Sequence, residues 1–202
     1  MNEERKTIKS SSFGELKILG SRFTGNAFPV SNKKEVDEFL ISTIKKYHDA
    51  THNPFAYKLL LEEKENIRTS DDKEPPGTAG IQILFAIEKL NLWNILVIVT
   101  RYFGGKKLGR GGLMRAYRDC AEITLNNTKV IEIILYKKIN FEFSHNDTGN
   151  VMKIISDFNG KIIHQVYKEK CNIVVKIPIN YVEDFKNKLS KYFKSDNVLI
   201  KS

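Results

Sequence analysis

The sequence predicts an α+β protein of two domains, residues 1–128 and 129–202, on three observations. Apolar residues recur with strand and helix periods in alternation along the whole chain. From Lys137 onward the order is strand, helix, strand, strand, helix, strand, which is the βαββαβ ferredoxin-like arrangement. A short polar break, "LNNTKV" from Leu125 to Val130, precedes that block and puts the boundary near residues 126–134.

In the first domain "FGELKILG" (Phe13 to Gly20) and "SRFTGNAFPV" (Ser21 to Val30) read as a hairpin that turns at Gly20 and Ser21. Ser31 or Asn32 caps a helix whose Val36, Phe39, Leu40, Ile44 and Tyr47 share one side. Pro54 stops any helix, and Phe55 to Glu62 reads as a strand. The polar "EKENIRTSDDKEPPGTAG", Glu63 to Gly80, has no periodicity through Pro76 and reads as a loop; Ile83, Leu84, Ile87 and Leu90 mark a second helix. Ile95 to Val99 is an unbroken β-branched and leucine run, the mark of a central strand buried on both faces and ending at Arg101. Beyond the next loop, Leu113, Tyr117, Cys120 and Thr124 form one helical stripe and Arg115, Arg118 and Glu122 another, so that helix buries one face and offers arginines on the other.

In the second domain the expected strands are Lys137 to Phe143, Lys161 to Tyr167, Cys171 to Pro178 and Asn197 to Ile200. The helices are Asp147 to Phe158, with Gly160 at its C-terminal cap, and Val182 to Tyr192. Met152, Ile155, Phe158, Phe185 and Leu189 cover one face of an antiparallel sheet whose other face is more open. Lys137, Ile139, Phe141 and Phe143 alternate along the first strand, with Lys168, Lys170 and Lys176 within reach of its neighbours.

At 202 residues, 41% hydrophobic and 28% charged, the chain reads as a soluble globular protein. Its 33 Lys and Arg against 24 Asp and Glu give a formal +9, which favours polyanionic partners: nucleic acid, ribosome or an acidic protein surface. No apolar run is long enough to cross a bilayer, and "MNEERKTIKS" has no signal-peptide character, so no membrane role is expected. Cys120 and Cys171 are the only cysteines, each inside a patterned element, which points to a reducing cytosol.

The segment "RYFGGKKLGRGGLMRAYRD", Arg101 to Asp119, gathers five glycines and six Arg or Lys. Gly104, Gly105, Gly109, Gly111 and Gly112 free backbone amides to cradle an anion, and Arg101, Lys106, Lys107, Arg110, Arg115 and Arg118 supply positive charge around them. No Gly-Lys-Ser or Gly-Lys-Thr follows the glycines and no GxGxxG opens a helix, so neither nucleotide fingerprint applies. The plainer alternative is two tight turns with a solvated basic rim. Asp71, Asp72 and Glu74 lie before two prolines and Thr78; they hold either a hard cation or, by preference, helix-end amides and arginines, bracing the glycine loop. His48 and His52 have zinc spacing but no HExxH pattern, and two isolated cysteines make no structural zinc site. No metal, cofactor or catalytic residue is assigned.

The blocks "SRFTGNAFPV", "HNPFAYKL", "SDDKEPPGTAG" and "LVIVTRYFGGKKLGRGGLMRAY" resemble, in order and spacing, those of the IMPACT family, and the two-domain layout looks like its bacterial YigZ-type members. The resemblance runs from about Lys17 to Leu125 and from Ile134 onward. It implies a β-α-β first domain of a topology shared with a ribosomal-protein domain, and a second domain similar to the last domain of a translocating elongation factor. It also implies a cleft lined by Arg22, His52, Tyr57, Asp71, Asp72, Glu74, Thr78, Arg101, Tyr102, Lys107, Arg110 and Arg115. The eukaryotic IMPACT protein regulates translation by binding the large activator of an eIF2α kinase. Two positions depart from the family pattern: Lys73 stands where glycine is usual, and Asn53-Pro54 replaces a segment where many relatives carry cysteine.

Three function classes follow. The first is a non-catalytic cytoplasmic protein that binds RNA or single-stranded nucleic acid, or the ribosome, through the basic loop, with Tyr102 or Phe103 stacking on a base. The second is a protein-interaction module in translational or stress control. The third is an enzyme for an anionic small molecule.

Overall fold

In the computed structural model, which describes residues 5–61, 64–192 and 199–201, the chain divides between Ile133 and Ile134 into two units. The first unit contains, in order, β1 (Lys6–Ile8), β2 (Ser12–Ile18), β3 (Ser21–Pro29), α1 (Lys33–Lys46), β4 (Phe55–Leu61), β5 (Lys64–Ser70), α2 (Gly80–Lys89), β6 (Ile95–Tyr102), α3 (Gly109–Asn126) and β7 (Val130–Glu132). Five of these strands form a sheet in the order β2-β3-β6-β4-β5, every neighbouring pair antiparallel.

β6 is the central strand, and its alternation decides the packing. Ile95, Val97 and Val99 join Phe23, Ala27 and Ala56 under Ile83 and Ile87 of α2 and Ala116, Tyr117 and Cys120 of α3. Leu96 and Ile98 point the other way, to Tyr57, Leu59 and Val36, with Phe39 and Leu40 of α1 packed on them. The continuous apolar run is thus buried on both faces.

Four sequence expectations change in this unit. The β2–β3 turn is Leu19-Gly20, both left-handed at φ 46° and 83°, as a two-residue hairpin turn of this hand requires; Ser21 already belongs to β3. Glu63 to Gly80 is not all loop, because Lys64–Ser70 pairs with β4 as an edge strand. Its residues face solvent on most sides, so no apolar alternation marks it. On α1, Thr43 is buried while Ile44 is 49% exposed, so the buried stripe is rotated from the one expected. Finally, β7 pairs with β1, which keeps residues through Ile133 with the first unit and moves the boundary from residue 128. The α1 cap is a reciprocal one: Asn32 accepts from the Glu35 amide at 3.0 Å, and Glu35 accepts from the Ser31 amide at 2.7 Å.

The second unit holds β8 (Tyr136–Phe143), α4 (Thr148–Asp157), β9 (Lys161–Tyr167), β10 (Cys171–Pro178), α5 (Val182–Tyr192) and β11 (Leu199–Lys201). The sheet order β11-β8-β10-β9, antiparallel throughout, is ferredoxin-like. Residues 197 and 198 of the expected last strand lie outside the described residues. Ile139, Phe141 and Phe143 face the helices with Ile173, Val175 and Ile177, and pack on Val151, Ile155, Phe185 and Leu189. Lys138, Asn140 and Glu142 therefore take the open face. α4 ends with Asn159, not Gly160, in the left-handed conformation (φ 53°). Paired bonds from the Asn159 and Gly160 amides to Ser156 and Ile155 close the helix. Gly160 is required for space, since a Cβ there would sit 2.7 Å from Ile177 Cδ1 and 2.8 Å from Ile155 Cγ2. No helix among the described residues is long and apolar enough to cross a membrane.

Candidate functional site

The end of β6 meets the loop between β5 and α2, and a buried polar cluster forms there. Arg101 Nη1 donates to Glu74 Oε1 at 2.7 Å, and Tyr117 Oη donates to the same oxygen at 2.7 Å. Both Arg101 and Glu74 are buried, so the pair has exchanged water for each other and for Tyr117. Removing either partner would strand the other's charge in a dry site. Burial, and then the Glu74 carboxylate, push the Tyr117 hydroxyl far above the ordinary tyrosine range, so it remains a donor. The Arg101 guanidinium carbon lies 5.5 and 5.4 Å from the ring centroids of Phe23 and Phe103.

His52 completes the cluster. Its Nδ1 is 2.7 Å from the Asp72 carbonyl oxygen, which can only accept, so Nδ1 carries the proton and Nε2 is turned to Glu74 at 3.9 Å. The three loop carboxylates have separate partners. Asp71 caps α2, accepting from the Gly77, Ala79 and Gly80 amides at 2.8–2.9 Å. Asp72 accepts from the Asn53 amide at 2.6 Å, Asn53 accepts from Thr100 Oγ1 at 2.7 Å, and Thr78 Oγ1 donates to the Pro75 carbonyl at 2.7 Å. Among the described residues no group of three or more His, Cys, Asp or Glu is placed to hold a metal.

The basic segment divides into engaged and free cations. Arg101 is consumed by Glu74 and leaves the anion-binding set that the sequence suggested. Arg110 donates to the Pro76 carbonyl at 2.9 Å, and Arg118 donates to Gln82 over the ring of Phe85. Arg22 stacks on Tyr102 at 4.5 Å, and the Tyr102 hydroxyl, donated to Asp49 at 2.7 Å, holds that carboxylate below its usual range. Lys106, Lys107 and Arg115 are exposed and have no carboxylate partner among the described residues. Tyr57 is not at this rim: it is buried on the α1 side of the sheet and donates to Asn66.

The glycines also divide. Gly104 touches the β2–β3 turn, where a Cβ would fall 1.9 Å from Gly20 C, and its amide donates to Ser21 Oγ at 3.1 Å. Gly105 and Gly109 are left-handed at φ 84° and 70°. Gly111 and Gly112 lie in the first turn of α3, not in the loop before it. That turn has no side-chain cap and no acidic residue, unlike α2 with its Asp71, so its first amides are left to solvent or a ligand. Tyr117 and Asp49 were missed as polar participants. Helical periodicity marks Tyr117 as core, and nothing in the spacing shows that its hydroxyl reaches a carboxylate 43 residues away.

The family model of the Impact N-terminal domain matches residues 19–125, the span that contains this whole cluster and rim. The chain belongs to the IMPACT family. Its relatives include YvyE of Bacillus subtilis, 41% identical over 127 residues, which are 62% of this chain and 58% of that protein. YigZ of Escherichia coli is 26% identical over 176 residues, covering 87% of this chain and 86% of its own length. A crystal structure of a hypothetical protein shares the fold, with a TM-score of 0.76 and 22% identity over 100% of this chain and 98% of the other. The match to YvyE thus spans less than two thirds of that relative, whereas the likeness to YigZ takes in both units of the IMPACT-family chain.

Proposed function

We propose that this chain is a non-catalytic regulatory protein of the cytosol that acts in translational control by docking a protein partner on the basic rim of its first unit. The observation that carries it is the division of charge at the rim. Every carboxylate of the acidic loop is committed to an internal amide or arginine, while Lys106, Lys107 and Arg115 remain exposed, with no carboxylate partner among the described residues. A surface left with surplus positive charge favours an acidic partner and speeds its encounter. Membership of the IMPACT family supports protein contact over the RNA contact that composition alone favours. The kinship of the two units to a ribosomal-protein domain and to the last domain of an elongation factor, implied by the resemblance, belongs to the same reading.

Recovery of the full chain from cells, with and without nuclease, tests it. Translation-related proteins should stay bound after nuclease and be lost from the Lys106→Glu/Lys107→Glu/Arg115→Glu variant. If nuclease strips the partners and RNA is recovered instead, the exposed Phe103 beside the two lysines becomes a base-stacking residue and the nucleic-acid reading replaces this one. Retention of the same proteins by the charge-reversed variant would remove the rim from the account.

A further inference from the structure

The open face of the second unit's sheet carries a charge arrangement that its fold does not need. Lys138 on β8 is registered opposite Lys176 on β10, and Lys176 opposite Lys161 on β9, so three lysines form one cross-strand row. All three are exposed. Lys161 Nζ lies 4.8 Å from the centroid of Tyr136, which opposes Pro178 on the same face, and this fixes the row on the side away from the helices. Among the described residues none of the three has a carboxylate partner. Neighbouring strands are about 4.8 Å apart, so three positive charges stand within about 10 Å of backbone with no described carboxylate to neutralise them. Like charges set directly opposite each other across strands destabilise a sheet.

The rows beside it complete a surface. Next along the strands come Asn140, Val174 and His164, then Glu142, Asn172 and Val166. Glu142 is occupied in part by Asn172 Nδ2 at 3.1 Å. Past them Lys168 and Lys170 border a depression of ≈ 440 Å³ lined also by Glu142, Val166, Glu169 and Asn172. The face therefore has lysines at both ends and, between them over about 13 Å, an exposed imidazole and two valines with few charges. We infer that this face binds single-stranded nucleic acid, the lysine row and the Lys168–Lys170 end taking phosphates and His164, Val174 and Val166 receiving unpaired bases. An acidic protein or an anionic membrane would meet the lysines but would make no use of the flat middle rows.

Binding of a labelled oligouridylate to the full chain, read by fluorescence anisotropy across a salt series, tests this. The Lys138→Ala/Lys161→Ala/Lys176→Ala variant should bind about 100-fold more weakly at about 0.1 M salt, with the log–log salt slope smaller by about 2, at about 0.7 per lost phosphate contact. Removing the same charge from the helix side, as Lys153→Ala/Lys188→Ala/Lys191→Ala, should change affinity by less than about threefold. Replacing the three row lysines by arginine should retain binding, which separates lost contacts from lost folding. Because Lys107→Ala/Arg115→Ala lies in the other unit, the loss at the row should persist in that background whatever becomes of the rim proposal. Equal losses from the two lysine triplets would overturn the inference, as would anionic vesicles or polyglutamate sensing the row while the oligonucleotide does not.

Discussion

At Lys73 the backbone stands at φ 67°, and at Asp72 before it at φ 40°. Two successive left-handed residues turn the loop so that Asp71 faces the start of α2 while Glu74 enters the core. Aspartate tolerates this conformation; a lysine there costs about 1–2 kcal/mol, and among the described residues its exposed side chain has no ion pair to offset it. The family resemblance implies glycine here, and this conformation supplies a physical reason for it. Lys73→Gly should raise stability by about 0.5–1 kcal/mol after the greater freedom of an unfolded glycine is discounted, read as a higher urea midpoint at unchanged slope. A lower midpoint would mean that the lysine contributes something its conformation does not reveal. The sequence pointed the loop carboxylates to helix-end amides and arginines, but not to which arginine Glu74 takes. Arg101 looked like a phosphate ligand because nearby residues are basic, and its burial against Glu74 depends on a contact 27 residues away.

Among the elements, those that bury a periodic face were legible, and β5, which buries none, was not. β6, α2 and α3 each have a long apolar pattern, and so do β8 and β10 of the second unit. β5 has none, because an edge strand with exposed faces needs only backbone pairing. α1 shows the limit of periodicity, since both Ile41 and Ile44 are exposed and a threonine takes the buried place. The start of α2 is set by a device that pattern cannot show: one carboxylate accepting three amides, next to a glycine packed on β5. A Cβ on Gly80 would lie 2.7 Å from the Ser70 carbonyl oxygen. Asp71→Ala should cost about 0.5–2 kcal/mol, with the Asn variant retaining part of the cap. Chemical denaturation of both variants in chelator-free and chelator-containing buffer checks this. A loss seen only without chelator would instead make Asp71 a metal ligand.

For the molecule as a whole, the boundary matters more than its few residues suggest. The first unit does not end with α3, because β7 runs back along β1 and fastens the two ends of the unit together. Lys9 donates its amide to the Lys129 carbonyl and Ile133 to the Arg5 carbonyl, both at 2.8 Å, and Val130 packs on the core that contains the fully buried Ile8. The polar break at Leu125 to Val130 drew the sequence reading to residue 128, since a strand of three residues has too little pattern to be seen. A fragment ending at residue 133 should therefore fold with the rim intact. One ending at 128 would strip β1 of its β7 partner and leave Ile8 partly uncovered, at a cost of about 1–3 kcal/mol from lost apolar burial and open backbone groups. Urea midpoints of the two fragments decide between the boundaries, and the shorter should also lose amide protection at Lys6 to Ile8. Equal midpoints with β1 amides still protected would show that β1 is held by Leu92 and Trp93 alone, through the Lys6–Leu92 bridge and the 2.7 Å bond from the Trp93 amide to the Lys6 carbonyl.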